Sequence, residues 1–374
     1  MNDTINDLIT KFLRVWATFN PYNAFGEGWR EFGGLINIDS PDRLDNYHYF
    51  LKSFKNQLTK FEYNSLSEKE KIEYLLTENK IDAELFNLID LDSYHTNPLQ
   101  YVGSAFIFEY LLKKYAPLQQ RIEELALHLA HLPLYYQQAI KNLDKDKLAP
   151  ELIEMAHLMT SGMISFLSNL ENEIKDLESE SGEKISQSVI TETLKNNILA
   201  IKALEEYDTY LKTALPLAKT SFRLGKEKYL KMLESTERVT NITLEKLLSV
   251  CEANLQRNKK EFEEAAKRID PNKTPDEIIK KVKKNHPSKE KLIIDTQNIL
   301  NTAKEFCRNL VNVPSEVMPK VIVTPKPYRA FAFAAMNSPG ALETVATDSY
   351  YYITPPDDDW PEEQQKEWLE VFNY

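Results

Sequence analysis

Glycine is scarce. There are nine in 374 residues, and four of them, Gly26, Gly28, Gly33 and Gly34, crowd into one stretch near the start. So few cannot supply many tight hairpins or phosphate-cradling loops, which leaves helix as the default state. Cysteine is scarcer still: Cys251 and Cys307 stand far apart with no Cys or His at metal-ligand spacing. That excludes a disulfide framework and a zinc finger, and it fits a reducing compartment. Positive charge is also short, with 46 Lys and Arg against 57 Asp and Glu and a net charge of −11. Such a balance repels nucleic-acid backbones and anionic lipid headgroups, so no nucleic-acid partner is expected. Leu125 to Ile140, an uncharged run that no other in the sequence exceeds, includes two His, a Pro and two Gln. It falls short of the roughly 20 apolar residues that span a bilayer, so no membrane span is expected. Acids at Asp3 and Asp7 stand where an export signal carries cations, and no apolar stretch with a cleavage site follows, so the expected location is cytoplasmic.

Proline divides what is present. Ten prolines are spread over residues 1–313 and eight fall between Pro314 and Pro361. Before that boundary, apolar residues recur at three and four. Ile72, Leu75, Leu76, Ile81, Leu85, Leu88 and Ile89 form one such stripe, with charges opposite. Further helices are expected near 42–61, 102–115, 117–142, 150–178, 188–211, 226–235, 243–269, 275–284 and 288–310. Ser67 with Glu70 has the chemistry of a capping box, and Thr243 precedes Leu244 as a plausible N-cap. Asp270-Pro271, Thr274-Pro275 and His286-Pro287 punctuate the later helices. After Pro314 the pattern changes to Val321-Ile322-Val323, Phe331 and Phe333, and Tyr350 to Thr354, all β-branched or aromatic and bounded by Pro, Gly or Asp. Trp360-Pro361-Glu362-Glu363 then favours a last helix. The expected organisation is mainly α, a helical array over 1–313 followed by a strand-containing segment and C-terminal helix over 314–374.

Few residues carry a metal signature. Glu154 and His157 have the Glu-x-x-His spacing of a bundle di-iron site, yet the second copy is missing, since His48 has Asp45 at that position. His128 and His131 lie one turn apart in an apolar helical stretch, where a neutral imidazole hydrogen-bonds locally. No His is followed directly by Glu, so His-Glu-x-x-His is absent. The lysines from Lys280 to Lys291 read as a solvated helix end beside Asp276, Glu277 and Glu290. Gly26-Glu27-Gly28 is not a dinucleotide loop, because no strand precedes it and a third glycine is misplaced. The tyrosine run from Tyr350 to Ile353 is a candidate edge for an extended peptide, against the plainer reading of packing on the helices.

The order of motifs resembles a known bacterial family, domain-of-unknown-function family 885. It is carried by Asn97-Pro98-Leu99-Gln100-Tyr101, Arg121, Leu132-Pro133, Leu224 to Tyr229, Asn285-His286-Pro287, Tyr350 to Pro356, and Trp360-Pro361. The resemblance implies a long helical array joined to a zincin-like core, the machinery of a zinc-dependent peptidase or related hydrolase. Its signature, His-Glu-x-x-Pro-Gly-His, is not in this sequence. A zinc hydrolase needs metal ligands to activate water and a carboxylate to take the proton. No catalytic or metal residue is therefore carried over. The chain also departs from the family's Gly-x-His motif near Gly26 to Gly34, with Trp29 in that neighbourhood.

By the same resemblance, Tyr328, Arg329, Tyr350, Tyr352 and Thr354 are the expected substrate-binding residues. The favoured expectation is the N-terminal part of a zinc metallopeptidase-like hydrolase, incomplete by itself. Zinc is expected only in a full-length or complemented protein, and the expected partner is a second chain or C-terminal half carrying the zinc motif. A peptide-like ligand is compatible with it. The alternative is a stand-alone helical scaffold that binds peptide or protein without catalysis. A third reading, a helical metalloenzyme built on His128, His131 and His157, stands behind both.

Overall fold

The computed structural model describes residues 4–103, 107–312, 318–324, 329 and 333–372. Helix makes up 69% of the protein and strand 3%, so the fold is mainly α, with a small three-stranded sheet toward the C-terminal end. Two compact units form, one from residues 1–243 with 340–346 and the other from residues 244–339 with 347–374. The change from helices to strands expected near Pro314 therefore occurs within the second unit.

Capping chemistry starts the first unit. Thr4 and Asp7 close a reciprocal box at the head of α1 (Ile5–Phe19), whose Ile5, Leu8, Phe12 and Trp16 recur at helical spacing and are buried. This helix was not among those expected from the sequence. After α2 (Pro21–Gly26), Ser40 caps α3 (Pro41–Leu58) with proline at its first position. Phe12, Phe50 and Phe54 pack ring against ring between α1 and α3. The expected Ser67–Glu70 box is present at the start of α4 (Glu68–Leu85). The face of α4 differs from expectation, because Tyr74, Thr77 and Ile81 are buried while Ile72 and Leu76 are exposed. A pattern read from aliphatic residues alone overlooked a tyrosine that fills the interior. At its end α4 widens into a π turn, Phe86–Asp90.

Two short helices, α5 (Ser93–Thr96) and α6 (Phe108–Leu112), lead to the long ones. Of the helix expected over 102–115, the described residues form only Phe108–Leu112, after a tight turn at Pro98–Tyr101; residues 104–106 lie outside the described set. At the centre of the unit α7 (Leu118–Asn142) packs along α10 (Gln187–Ala214), with α8 (Pro150–Leu167) against α10 as well. Ala126, Ala139, Ala200 and Ala203 are buried small residues that let the backbones approach. Asn196 Nδ2 donates to the Ala126 carbonyl at 3.0 Å and Asn197 Nδ2 to the Leu167 carbonyl at 2.8 Å. Each fully buried Leu or Ile on this interface contributes roughly 1.5–3 kcal/mol by leaving water. The helix expected over 150–178 ends at Leu167 and restarts as α9 (Leu170–Ser181), because the Ser168 hydroxyl bonds back to the Ile164 carbonyl and Asn169 turns the chain. The unit's last helix is α11 (Gly225–Ser235).

Asp39 gives this core a pH dependence. It is 5% exposed, and burial pushes its carboxyl up to about 6 against the pull of Asn37 and Arg43. The folded state thus holds this proton more tightly than the unfolded chain. Asp39 favours folding below the ordinary carboxylate pKa, and that contribution is lost as pH rises through about 6. The expected result is a wild-type stability, read from melting curves, that falls relative to Asp39→Asn between about pH 4 and 6.5 by on the order of 2–3 kcal/mol. Parallel melting curves for the two proteins would contradict it.

The glycine cluster receives residues 340–346. Leu342 N donates to the Glu27 carbonyl at 2.8 Å and Ala341 N to Glu27 Oε2 at 3.1 Å. Arg30 pairs with Glu343, whose side chain is 1% exposed, while its guanidinium lies over the rings of Phe25 and Tyr115. Burial would raise the Glu343 carboxyl, but Arg30 and the amides of Val345 and Ala346 outweigh it and hold it below its usual range.

In the second unit come α12 (Leu244–Ile269), α13 (Pro275–Val282), which Thr274 and Glu277 cap as a box, and α14 (Leu292–Cys307). The sheet follows: β1 (Lys320–Val323), β2 (Ala334–Asn337) and β3 (Tyr350–Ile353), in spatial order β1-β3-β2. Strand β3 runs parallel to β1 with Val321 beside Tyr351, and antiparallel to β2 with Ala335 beside Tyr352. The chain ends in α15 (Glu362–Leu369), with acids in its first turn as expected. Leu292, Val321 and Ile353 form the buried centre, with Ile293, Leu300, Tyr351 and Leu369 packed around it.

Candidate functional site

The sheet brings most of the expected substrate residues together and changes the role of one feature. Tyr350 to Ile353 is not an edge: β3 is the middle strand, with β1 bonded along one side and β2 along the other. A peptide cannot add to a strand whose amides and carbonyls are already paired on both sides. Pairing with β1, thirty residues away in register, was invisible to a local pattern.

Tyr350 and Tyr352 project from one face, as alternate residues must, with rings stacked at 6.3 Å. Asn337 Nδ2 donates to the Tyr352 hydroxyl at 3.1 Å, and Tyr352 is buried. Tyr350 lies beside Asp348, which Lys320 pairs at 2.5 Å. Partial burial raises the Tyr350 hydroxyl, Asp348 adds to the effect, and Lys320 opposes it.

Beyond the C-terminal ends of the parallel strands β1 and β3 the side chains become polar. The Thr354 hydroxyl donates to that of Thr324 at 2.8 Å, and both residues are 2% exposed. Arg329 Nε donates to the Thr324 carbonyl at 2.9 Å, and its Nη1 reaches Asp357 at 3.3 Å. Trp368 Nε1 donates to the Thr354 carbonyl at 2.8 Å, with Phe333 and Trp360 against the indole. Arg329 and Thr354 therefore meet through Thr324, whereas the two tyrosines lie along the strand. Tyr328 falls outside the described residues. Asp357 and Trp368 were missed in the sequence reading; the Pro355-Pro356-Asp357 turn and the last helix were visible there, but not their return to Thr354. Arg329 retains Nη2 donors for a carbonyl or carboxylate, and the three aromatic rings offer an apolar wall.

The histidines are held by other means. His157 Nδ1 lies 2.5 Å from Asp208 Oδ1, while the Ser161 hydroxyl reaches the same ring nitrogen at 3.3 Å. A Ser-His-Asp relay needs the acid and the hydroxyl on opposite nitrogens, so this cluster is not one. Glu154, expected as the partner of His157 in a metal reading, is exposed, and Asp208 from α10 takes the contact instead. His128 is fully buried and shares a hydrogen bond with the Tyr110 hydroxyl at 3.1 Å, as the local reading of that histidine required. Among the described residues no three metal-ligating side chains come together, so they do not fit a zinc ion. Nor, among them, is any helix long and apolar enough to cross a membrane.

A family model for the bacterial proteins of unknown function DUF885 matches residues 21–373. The chain belongs to the DUF885 family. The DUF885 fold is also similar to the solved structure of a putative lipoprotein of unknown function from Shewanella oneidensis, at a TM-score of 0.76 and 20% identity. That match covers 100% of this chain and 68% of the other. At this identity the likeness speaks to fold alone. No curated protein matches the sequence.

Proposed function

We propose that these residues form the non-catalytic part of a zinc metallopeptidase-like hydrolase: a helical wall, and a β core that a segment bearing His-Glu-x-x-Pro-Gly-His completes. One observation carries this reading. Helix α14 lays Leu292 and Leu300 on the sheet, yet it also exposes Ile294, Ile299 and Phe306, the last at 74%. A helix apolar on both sides belongs in an interior, with a partner on each face. The occupant proposed for the open side is the segment with the zinc motif. About a third of the similar lipoprotein chain lies outside the match, which supplies room for such a segment. Arg329, Tyr350, Tyr352 and Thr354, with Tyr328, would then flank the bound peptide from the sheet, Arg329 holding a carbonyl or carboxylate. A cytoplasmic location belongs to the same proposal, supported by the free thiols of Cys251 and Cys307.

The test compares the 374-residue chain with a form whose reading frame continues past Tyr374 or that is co-expressed with a segment containing the motif. Alone, the chain is expected to bind an apolar-sensing dye and to scatter light as a self-associating species. Completed, it should lose both properties, retain zinc after dialysis and hydrolyse peptides, with Arg329→Ala slowing hydrolysis about tenfold by losing a charge-assisted bond to substrate. A clean monomer without dye binding would leave the stand-alone scaffold as the reading to pursue. A completed protein that binds no zinc and cleaves no peptide would end the hydrolase reading.

A further inference from the structure

A cavity of about 550 Å³ in the first unit lies between Lys55 of α3, the end of α4 with its π turn, and the C-terminal end of α11 through Thr240. The π turn closes with Leu91 N bonded to the Phe86 carbonyl at 2.9 Å. Such wide turns bring side chains to positions an α-helix would not give them, and they recur at functional sites. Here Asp82, Leu85, Phe86 and Asp90 all line the cavity.

Three cations, Lys55, Lys231 and Arg238, and three carboxylates, Asp82, Asp90 and Glu234, line it. Lys55 pairs with Asp82, Lys231 with Asp90 at 2.5 Å, and Arg238 with Glu78 at 2.5 Å. These pairs hold long side chains in place and leave hydrogen-bonding capacity unused, because an ammonium has three donors and a guanidinium five. Arg238 Nε and the Glu234 carboxylate have no partner among the described residues.

Arg238 itself is oddly chosen for its backbone. Its φ is 54°, and Val239 N bonds to the Leu233 carbonyl at 2.9 Å, the long bond that ends a helix through a left-handed residue. Glycine is the residue favoured there, and arginine brings a steric cost with it. The cap therefore does not explain the side chain.

We propose that this cavity binds a small zwitterion, a free amino acid or a dipeptide with both ends unblocked. Its carboxylate meets Lys231 and Arg238, its ammonium meets Glu234, and an apolar side chain rests on Leu85 and Phe86. A polyanion would face three carboxylates and a polycation three cations, so only a ligand carrying both charges is matched throughout. This site is separate from the sheet and does not depend on the hydrolase reading.

Calorimetric titration of the whole chain with alanyl-phenylalanine tests it, alongside the N-acetylated and the C-amidated forms. The free dipeptide is expected to bind, and each blocked form to bind about tenfold more weakly, the loss of one charge-assisted contact. Arg238→Gly keeps the left-handed cap while removing the guanidinium, and Glu234→Gln alters an exposed carboxylate that holds nothing else. Each should weaken the free dipeptide about tenfold, and Glu234→Gln should leave the N-acetylated form unchanged. No binding of the free dipeptide at about 10 mM, beyond the affinity such contacts supply, would overturn the proposal. Equal binding of free and blocked forms, or unaltered binding by both variants, would do the same.

Discussion

Replacing Arg121 with alanine is expected to destabilise the first unit by about 3–5 kcal/mol, because its guanidinium is the C-terminal cap of α6. The side chain is 2% exposed, and Nη1 donates to the carbonyls of Tyr110 at 2.9 Å, Leu111 at 3.2 Å and Lys113 at 3.2 Å. Carbonyls at a helix end have no partner within the helix, and buried ones cannot turn to water. Burial lowers the Arg121 pKa, while the Glu183 carboxylate acts against it. Glu183 in turn accepts from Leu118 N at 2.7 Å, closing the start of α7 where Pro117 offers no side-chain cap. One cation thus joins the end of one helix to the beginning of the next. In a unit of this size the loss corresponds to a melting temperature lower by roughly 10–15 °C. Arg121→Lys should recover only part of it, since lysine's flexible stem does not hold its nitrogen where the planar guanidinium fixes Nη1. A change below about 1 kcal/mol for the alanine variant would mean that other groups satisfy those carbonyls.

Gly28→Ala and Gly340→Ala are expected to free residues 340–346 from the first unit. A Cβ on Gly28 would stand 2.4 Å from Glu343 N and 2.6 Å from the Leu342 carbonyl carbon, and the φ of +104° at Gly28 already disfavours any side chain. On Gly340 it would stand 2.4 Å from the Glu27 carbonyl carbon and from the Gly26 oxygen. These neighbours are backbone and cannot rotate aside. Release of the segment leaves Arg30 without its carboxylate, a cost of about 2–4 kcal/mol for a pair this enclosed. Amide exchange should show lost protection over 340–346, with new protease cleavage there, and Glu343→Gln should reproduce the effect without touching a glycine. Because the folded Glu343 pKa is lowered, its contribution is present above the usual glutamate pKa and fades as pH falls below it. Unchanged protection in all three variants would remove this role for the segment.

What the sequence made legible was local. Proline at a first turn, Ser67 with Glu70, and the Val321 and Tyr350 runs each act over a few residues, and the helices and strands they mark are present. The break at Ser168 and Asn169 had no proline or glycine to announce it, only a hydroxyl bonded to the preceding turn. Partnerships across long separations left no local trace. Asp208 takes His157 from fifty-one residues away, and β3 is central because β1, two strands earlier in the chain, pairs it on the side opposite β2. The candidate site follows the same division: Tyr350, Tyr352 and Thr354 share a strand and its continuation, while Asp357 and Trp368 join them through bonds no periodicity encodes. The glycine cluster was legible as unusual, but its use required sight of Glu343.

The return of residues 340–346 to the first unit also fixes an order of events during synthesis. Ninety-six residues, 244–339, separate the main body of that unit from the piece that finishes it. At roughly 5–20 residues per second a ribosome takes about 5–20 s to make them. Throughout that interval the nascent first unit has its helices but an empty ledge at Gly26 to Gly28, with the Arg30 cation uncovered. Closing this ledge is a long-range step, slow by loop closure and made only once the second unit's β1 and β2 have left the ribosome. The first unit therefore cannot reach its final stability ahead of the strands of the second, and the chain's two halves mature together rather than in sequence.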